Sequence, residues 1–396
     1  MPVASSAPLP NPAPAADSPV TASATTRLVS LDVFRGVAIM LMLLVNNSGD
    51  WRYYYSPLIH ADWNGCRLAD LAFPWFMYIM GVAVVYGLAS VREQPSRHSA
   101  VLLRVGRRVL VMVVLGLLIG LLPNFYFTSF RILGVLQRLG VVYGICALCF
   151  LKLTWRQQLT LAAVLLVGYN LLLQFVPVPD LGHPSLDKMT NLGAWLDRLV
   201  IGQHHLNMDQ EGWDPESLLG TIPSVGTGLL GMLTGQWLRN TRSDAPTKTV
   251  WLFVVSAGAI VLGLIWNGWF PINKSLWSSS YVVYTAGIGG IVLGALYFLC
   301  DVQGWRGRWT WIFIACGSNA LLVFFGHEAL ERVLTRFKLH HADGSVFYAR
   351  DWLYENLCRQ FFTNPTHASF TWAVVYSSLW VLLLAVLYRR RIFFTA

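Results

Sequence analysis

From Arg27 onward the chain alternates long apolar runs with short polar ones. A helix needs about 20 largely apolar residues to cross a bilayer. Ten runs approach that length: 29–47, 68–89, 105–122, 130–151, 157–176, 218–238, 249–267, 277–300, 309–330 and 370–388. The pattern predicts an all-α, polytopic integral membrane protein of about ten transmembrane helices, with one transmembrane domain over 27–396 and the lipid bilayer as its main surroundings. Residues 1–26 are rich in Pro, Ala, Ser and Thr and lack the basic start and apolar centre of a signal peptide. They offer too little apolar surface to fold, which predicts a disordered tail.

Composition sharpens this reading. The chain is 55% hydrophobic and only 12% charged, against about 25% charged in soluble domains, which excludes an ordinary soluble enzyme. A net charge of +9 would suggest nucleic acid in a soluble chain. Here the basic residues sit in short loops between apolar runs, so they set topology and no nucleic-acid partner is expected. The second loop holds Arg92, Arg97, Arg104, Arg107 and Arg108; the fourth Lys152 and Arg156; the sixth Arg239, Arg242 and Lys248; the eighth Arg306 and Arg308; the C-terminus Arg389 to Arg391. The short odd loops hold only Arg52, Arg67, Arg131 and Lys274. Both termini are therefore expected in the cytoplasm, in a cell inner (plasma) membrane, with the long connections 177–217 and 331–369 outside.

Polar groups at membrane depth need a reason, and with this topology they gather on the outer side. Asn46 and Asn47 end the first run; His60, Asp62, Trp63 and Asn64 follow; Asp70 opens the second. Arg131 and Arg138 are seven apart and share a helix face. Asp214 and Glu216 precede the sixth run, Asn273, Lys274 and Ser278–Ser280 lie where the seventh meets the eighth, and His327 and Glu328 end the ninth. Such a rim reads as a site for a polar substrate. Each residue alone also has a plainer reading: His60 as a solvated loop histidine, His327–Glu328 as an interface anchor, Arg138 as an ion-pair partner of Asp70 or Glu328, Asp32 and Arg35 as partners of each other. Cys146 and Cys149 have no histidine nearby, and no metal site is expected. Cys66 and Cys358, both in outer segments, are a candidate disulfide. The chain has no P-loop, dinucleotide fingerprint or HExxH motif. At the inner side Arg35, Arg104, Arg107 and Arg108 could meet phosphates.

Several blocks carry a family resemblance: Arg27-Leu-Val-Ser-Leu-Asp-Val-Phe-Arg-Gly36, Val45-Asn-Asn, His60-Ala-Asp-Trp-Asn-Gly65, Ala69-Asp-Leu-Ala-Phe-Pro-Trp75, Ile79-Met-Gly81, Arg131-Ile-Leu-Gly-Val-Leu-Gln-Arg138, Asp214-Pro-Glu, Pro271-Ile-Asn-Lys-Ser-Leu-Trp277, Gly317-Ser-Asn-Ala-Leu321 and Gly326-His-Glu328. In this order, over about 27–330, the sequence resembles the heparan-α-glucosaminide N-acetyltransferase family, in its shorter bacterial form. A second acyltransferase family is similar at Leu31 to Ala38 but places a histidine later in that same span, where this chain has Asn46 and Asn47.

The resemblance implies acetyl transfer from cytosolic acetyl-CoA to the amine of glucosamine or a terminal glucosaminide on the other side. It implies His60 as the active histidine, with Asn46 near it; Asp70 or Glu328 could orient the ring, and His60, Asn46 and Asp70 are the catalytic candidates. Trp63, Asn64, Asp214, Glu216, Asn273, Lys274, His327 and Glu328 are then the acceptor-binding candidates, and Arg35, Arg131, Gln137, Arg138 and Ser279 the acetyl-CoA-binding candidates. Relatives imply a homodimer. An ammonium cannot attack a thioester, so a histidine near neutrality is needed, either as base or as acetyl carrier. The competing expectation is a secondary transporter of an amino sugar or other small polar solute, which also has about ten spans and glycine-interrupted helices, but places its site near the midplane.

Overall fold

The computed structural model describes residues 27–207, 212–340 and 346–394; the expected tail, 1–26, lies outside them. Among the described residues are thirteen α-helices and one two-stranded hairpin. Seven helices are long and apolar enough to cross a membrane: α1 (Val29–Asn46), α2 (Ala72–Arg92, extended by a 3-10 turn from Leu68), α4 (Val135–Lys152), α5 (Trp155–Phe175), α8 (Ala245–Trp266), α9 (Ser279–Tyr297, with a π turn to Val302) and α13 (Pro365–Arg389). An eighth span forms if α10 (Arg308–Ser318) and α11 (Ala320–Leu334) are taken together, bent by 68°.

The expected ten thus become seven or eight by length and composition. The other two apolar runs are helices as well, α3 (His98–Leu121) and α7 (Thr221–Arg239). The first half of α3 carries Arg104, Arg107 and Arg108, and α7 is diluted by Gly, Ser and Thr. The long connections are not plain loops. One holds α6 (Leu192–Val200), the other the hairpin β1 (Lys338–His340) and β2 (Val346–Tyr348) followed by α12 (Ala349–Leu357).

The sequence explains the packing. Val250, Trp251, Val254, Val255, Val261, Leu262 and Ile265 of α8 stay exposed, as a lipid-facing surface requires. Polar and small residues turn inward. In α2 a Cβ on Gly81 would stand 2.1 Å from the Gly228 carbonyl oxygen, and one on Gly231 in α7 would stand 2.1 Å from that of Tyr78. These two helices therefore touch backbone to backbone, the close approach that small residues permit in membranes. Phe73, Met77, Val142, Leu166, Leu229 and Trp277 fill the core around that contact. Asp301 starts α1 by accepting from the Val29 and Ser30 amides (3.1 and 3.0 Å), which satisfies donors that a helix N-terminus leaves open.

At one end of the bundle the connections meet. Tyr281 of α9 donates to the Asp70 carbonyl (2.6 Å), Tyr169 of α5 to the Leu276 carbonyl (2.6 Å), and Trp63 to the Leu186 carbonyl (3.1 Å). Four segments distant in sequence are thereby fixed around one polar region.

Candidate active site

The centre is built from two short turns. Arg67 and Ala61 donate their backbone N–H groups to Asp70 Oδ2 (2.8 and 3.1 Å), which fixes the carboxylate at the head of α2. Its other oxygen, Oδ1, lies 2.8 Å from His60 Nδ1. Asp70 is almost fully buried, whereas the His60 side chain keeps 45% of its surface open. The contact favours the tautomer with the proton on Nδ1, leaving Nε2 as the basic nitrogen. Arg67 also donates to the His60 carbonyl (3.2 Å).

Lys274 closes this pair from a loop 214 residues away in sequence. Its Nζ stands 3.1 Å from each nitrogen of the His60 ring and 3.9 Å from Asp70 Oδ1. The loop is held in place by backbone pairing: Gly65 N–H donates to the Ile272 carbonyl (2.7 Å), and Asn273 donates its side-chain amide to Asn64 Oδ1 (3.1 Å). Crowding by protein on its inner side and the Lys274 ammonium push the His60 pKa below its ordinary 6.5, against the opposing pull of Asp70. Burial lowers the Lys274 pKa too, with Asp70 and Glu216 opposing it.

Beside this lies a second charged cluster. Arg131 binds Asp214 through two nitrogens (2.8 and 2.6 Å) and also binds Glu216. Asp214 is further fixed by the Asn207 and Glu216 amides (3.1 and 2.8 Å). Burial alone would raise Glu216, but Arg131, Arg138 and Lys274 together hold its pKa below the ordinary carboxylate value. The two acids expected to face a sugar are thus bound first by Arg131. Arg138 pairs with neither Asp70 nor Glu328, as the sequence had allowed. It is buried, donates to the Ser217 carbonyl (2.9 Å) and lies over the Trp277 ring at 5.2 Å. The reason is reach: the 212–220 segment folds directly over Arg138 and supplies backbone oxygens.

Other candidates scatter. Glu328, Arg131 and Gln137 line a small open cleft between α3, α4 and α11, together with Gly116, Gly120 and Gly134. His327 is buried, its Nε2 4.0 Å from Glu328. Ser279 is buried and donates to the Leu166 carbonyl (2.6 Å). Arg35 pairs with Asp32 at 3.4 Å, at the end of α1 opposite Asn46, roughly 16 Å along the axis. Asn46 is half-buried in the last turn of α1. Trp63 packs edge-to-face on Trp213 (5.5 Å), and Asn64 is exposed. Cys66 and Cys358 do not pair; both thiols are free. Among the described residues no group of His, Cys, Asp and Glu could hold a metal.

Sequence reasoning missed three supports: Arg67, Tyr281 and Asp197. Asp197 is buried, accepts from the Leu218 amide (2.9 Å) and has its pKa raised to about 7 by burial. Only its place in an apolar-faced α6 hinted at burial.

The fold and this centre define a class: an α-helical membrane bundle that carries an acid-oriented histidine and a lysine at one end. The comparisons give the family. The chain belongs to the heparan-α-glucosaminide N-acetyltransferase family, whose catalytic-region model matches residues 27–263. The human heparan-α-glucosaminide N-acetyltransferase is 31% identical over 93% of this chain and 59% of its own length. The mouse protein of that name is 30% identical over 94% and 61%. The chain thus spans about three fifths of the relatives it matches.

Proposed function

We propose that the protein is a membrane N-acetyltransferase that moves an acetyl group from cytoplasmic acetyl-CoA to the amine of glucosamine, or of a terminal glucosaminide, on the outer face. The observation that carries this reading is the His60–Asp70 contact at 2.8 Å in a chain of this family. Asp70 holds the ring so that Nε2 can take the amine's proton or carry the acetyl group. Asn46 supplies a hydrogen-bond donor for the thioester oxyanion. Trp63 and Asn64 offer a ring face and a polar edge to the sugar. Asp214 and Glu216 reach the acceptor only as members of the Arg131 cluster, with Asn273 holding Asn64, and His327 and Glu328 bound the neighbouring cleft.

Acetyl-CoA must cross much of a bilayer about 30 Å thick to meet His60. Arg35 at the opposite end of α1 suits the donor's phosphates. The cleft beside Arg131 and Gln137 suits part of the pantetheine arm. Arg138 and Ser279, both committed to backbone oxygens, shape the walls. The distribution of arginines supports cytoplasmic termini in the plasma membrane, and a second copy of the chain is the proposed partner. The test is to give purified protein acetyl-CoA and glucosamine and look for free CoA with N-acetylglucosamine. Sugar transport without acetylation would overturn the reading.

A further inference from the structure

We infer that Lys274 is a further catalytic residue, whose ammonium takes up the negative charge on the acetyl oxygen when His60 opens the thioester carbonyl. The inference rests on the acetyl-transfer reading and follows its covalent route.

The geometry comes first. Nζ is 3.1 Å from both ring nitrogens of His60. A point equidistant from the two and this close would overlap ring carbons if it lay in the ring plane. Nζ therefore sits over the ring face, and it blocks neither in-plane lone-pair direction. Nδ1 is turned to Asp70, and Nε2 stays available. The ammonium is held over the ring by Asp70 Oδ1 at 3.9 Å, and its side chain is only 20% exposed. A cation so placed is ready before the substrate arrives, which is the property that makes such groups effective.

The chemistry follows. The Nε2 lone pair forms a bond to the acetyl carbon, and the C=O π pair moves to oxygen, where Lys274 donates a hydrogen bond. Collapse restores the carbonyl and breaks the C–S bond, and CoA leaves as thiolate. Asp70 meanwhile offsets the positive charge of the acetyl-imidazolium. The acceptor amine then attacks the same carbon, the same oxygen takes the charge, and the C–Nε2 bond breaks. The new amide nitrogen gives its proton to the freed imidazole, which passes it to the CoA thiolate, so that neutral His60 and the free thiol of CoA are left. The same ammonium also disfavours a charged imidazole in the resting protein. The charged and titratable groups facing His60 are Lys274, Asp70, Glu216, the Arg67 guanidinium at the His60 carbonyl, and Cys66 in the turn beside Asp70.

The test uses the full-length protein with Lys274→Met and Lys274→Arg. The first readout needs no turnover: the pH dependence of His60 carbethoxylation by diethyl pyrocarbonate, followed by peptide mass spectrometry. Lys274→Met is expected to move the onset to higher pH, and Lys274→Arg to restore it. The second readout is kinetic. Lys274→Met should lower kcat about 10²-fold or more with KM for acetyl-CoA little changed. An unshifted His60 titration overturns the inference, as does a loss confined to acceptor KM, which would make Lys274 a binding residue only. A shifted titration in a protein that acetylates no amino sugar would instead overturn the reading beneath it.

Discussion

Asp70 meets His60 with a carboxylate already anchored: Oδ2 accepts two backbone amides at 2.8 and 3.1 Å while Oδ1 faces Nδ1 of the ring at 2.8 Å. The acid therefore aims the imidazole without needing the ring for its own solvation. Asp70→Asn keeps the volume but presents the ring with a weaker partner that tolerates the wrong tautomer. Acetyl transfer should fall roughly 10²- to 10⁴-fold. Acetyl-CoA affinity, read by calorimetry, should hold.

A pH profile follows from the same group. In the proposed reaction His60 acts as the neutral imidazole, and its pKa lies below 6.5 because crowding and Lys274 outweigh Asp70. The acid limb of kcat/KM should therefore fall below pH 6.5 in the wild type. Asp70 raises that pKa, so Asp70→Asn should move the limb further toward acid. A limb moving toward neutrality would show that the titrating group is not His60.

Arg131 neutralises two buried carboxylates at once. Arg131→Met leaves Asp214 and Glu216 buried without the cation that contacts both, which destabilises by about 3–5 kcal/mol. Arg131→Lys restores the charge but not the two-pronged geometry. Thermal melts in detergent should rank wild type above Arg131→Lys and Arg131→Lys above Arg131→Met.

The α2–α7 contact gives a prediction independent of chemistry. Gly81→Ala drives a methyl group against the Gly228 backbone, whereas a Cβ on Gly87 in the same helix meets nothing within 4 Å. Overpacking of this kind amounts to about 1–3 kcal/mol. Gly81→Ala should melt earlier than wild type, and Gly87→Ala should not.

The helices were legible because apolar runs of bilayer length have few other uses, and each such run is mainly helical, the 309–330 run on two helices. The break at Asn319 was not: an apolar average hides a bend, and Asn319 departs from the helix while its amide holds the backbone of Ile392 and Phe394 (3.1 and 2.8 Å). Short helices such as α6 and α12 escaped a search tuned to bilayer length. In the site, His60, Asp70 and Lys274 could each be named from the chain. The contact between His60 and Lys274 is tertiary and leaves no periodic trace. The pairing of Arg131 with Asp214 and Glu216 was likewise hidden, since the arginine read as a ligand for the donor and the acids as ligands for the sugar. Charges that satisfy each other in space look like separate free groups in sequence.

The central claim is that acetyl transfer runs through His60. The most direct measurement is the rate of acetyl transfer from acetyl-CoA to glucosamine by His60→Ala, with acetyl-CoA affinity taken on the same preparation and His327→Ala beside it. The account predicts a loss of at least about 10²- to 10⁴-fold for His60→Ala with donor binding largely kept, and a smaller effect for His327→Ala. Near-normal turnover in His60→Ala would contradict it, and a collapse confined to His327→Ala would move the chemistry to the cleft at Glu328.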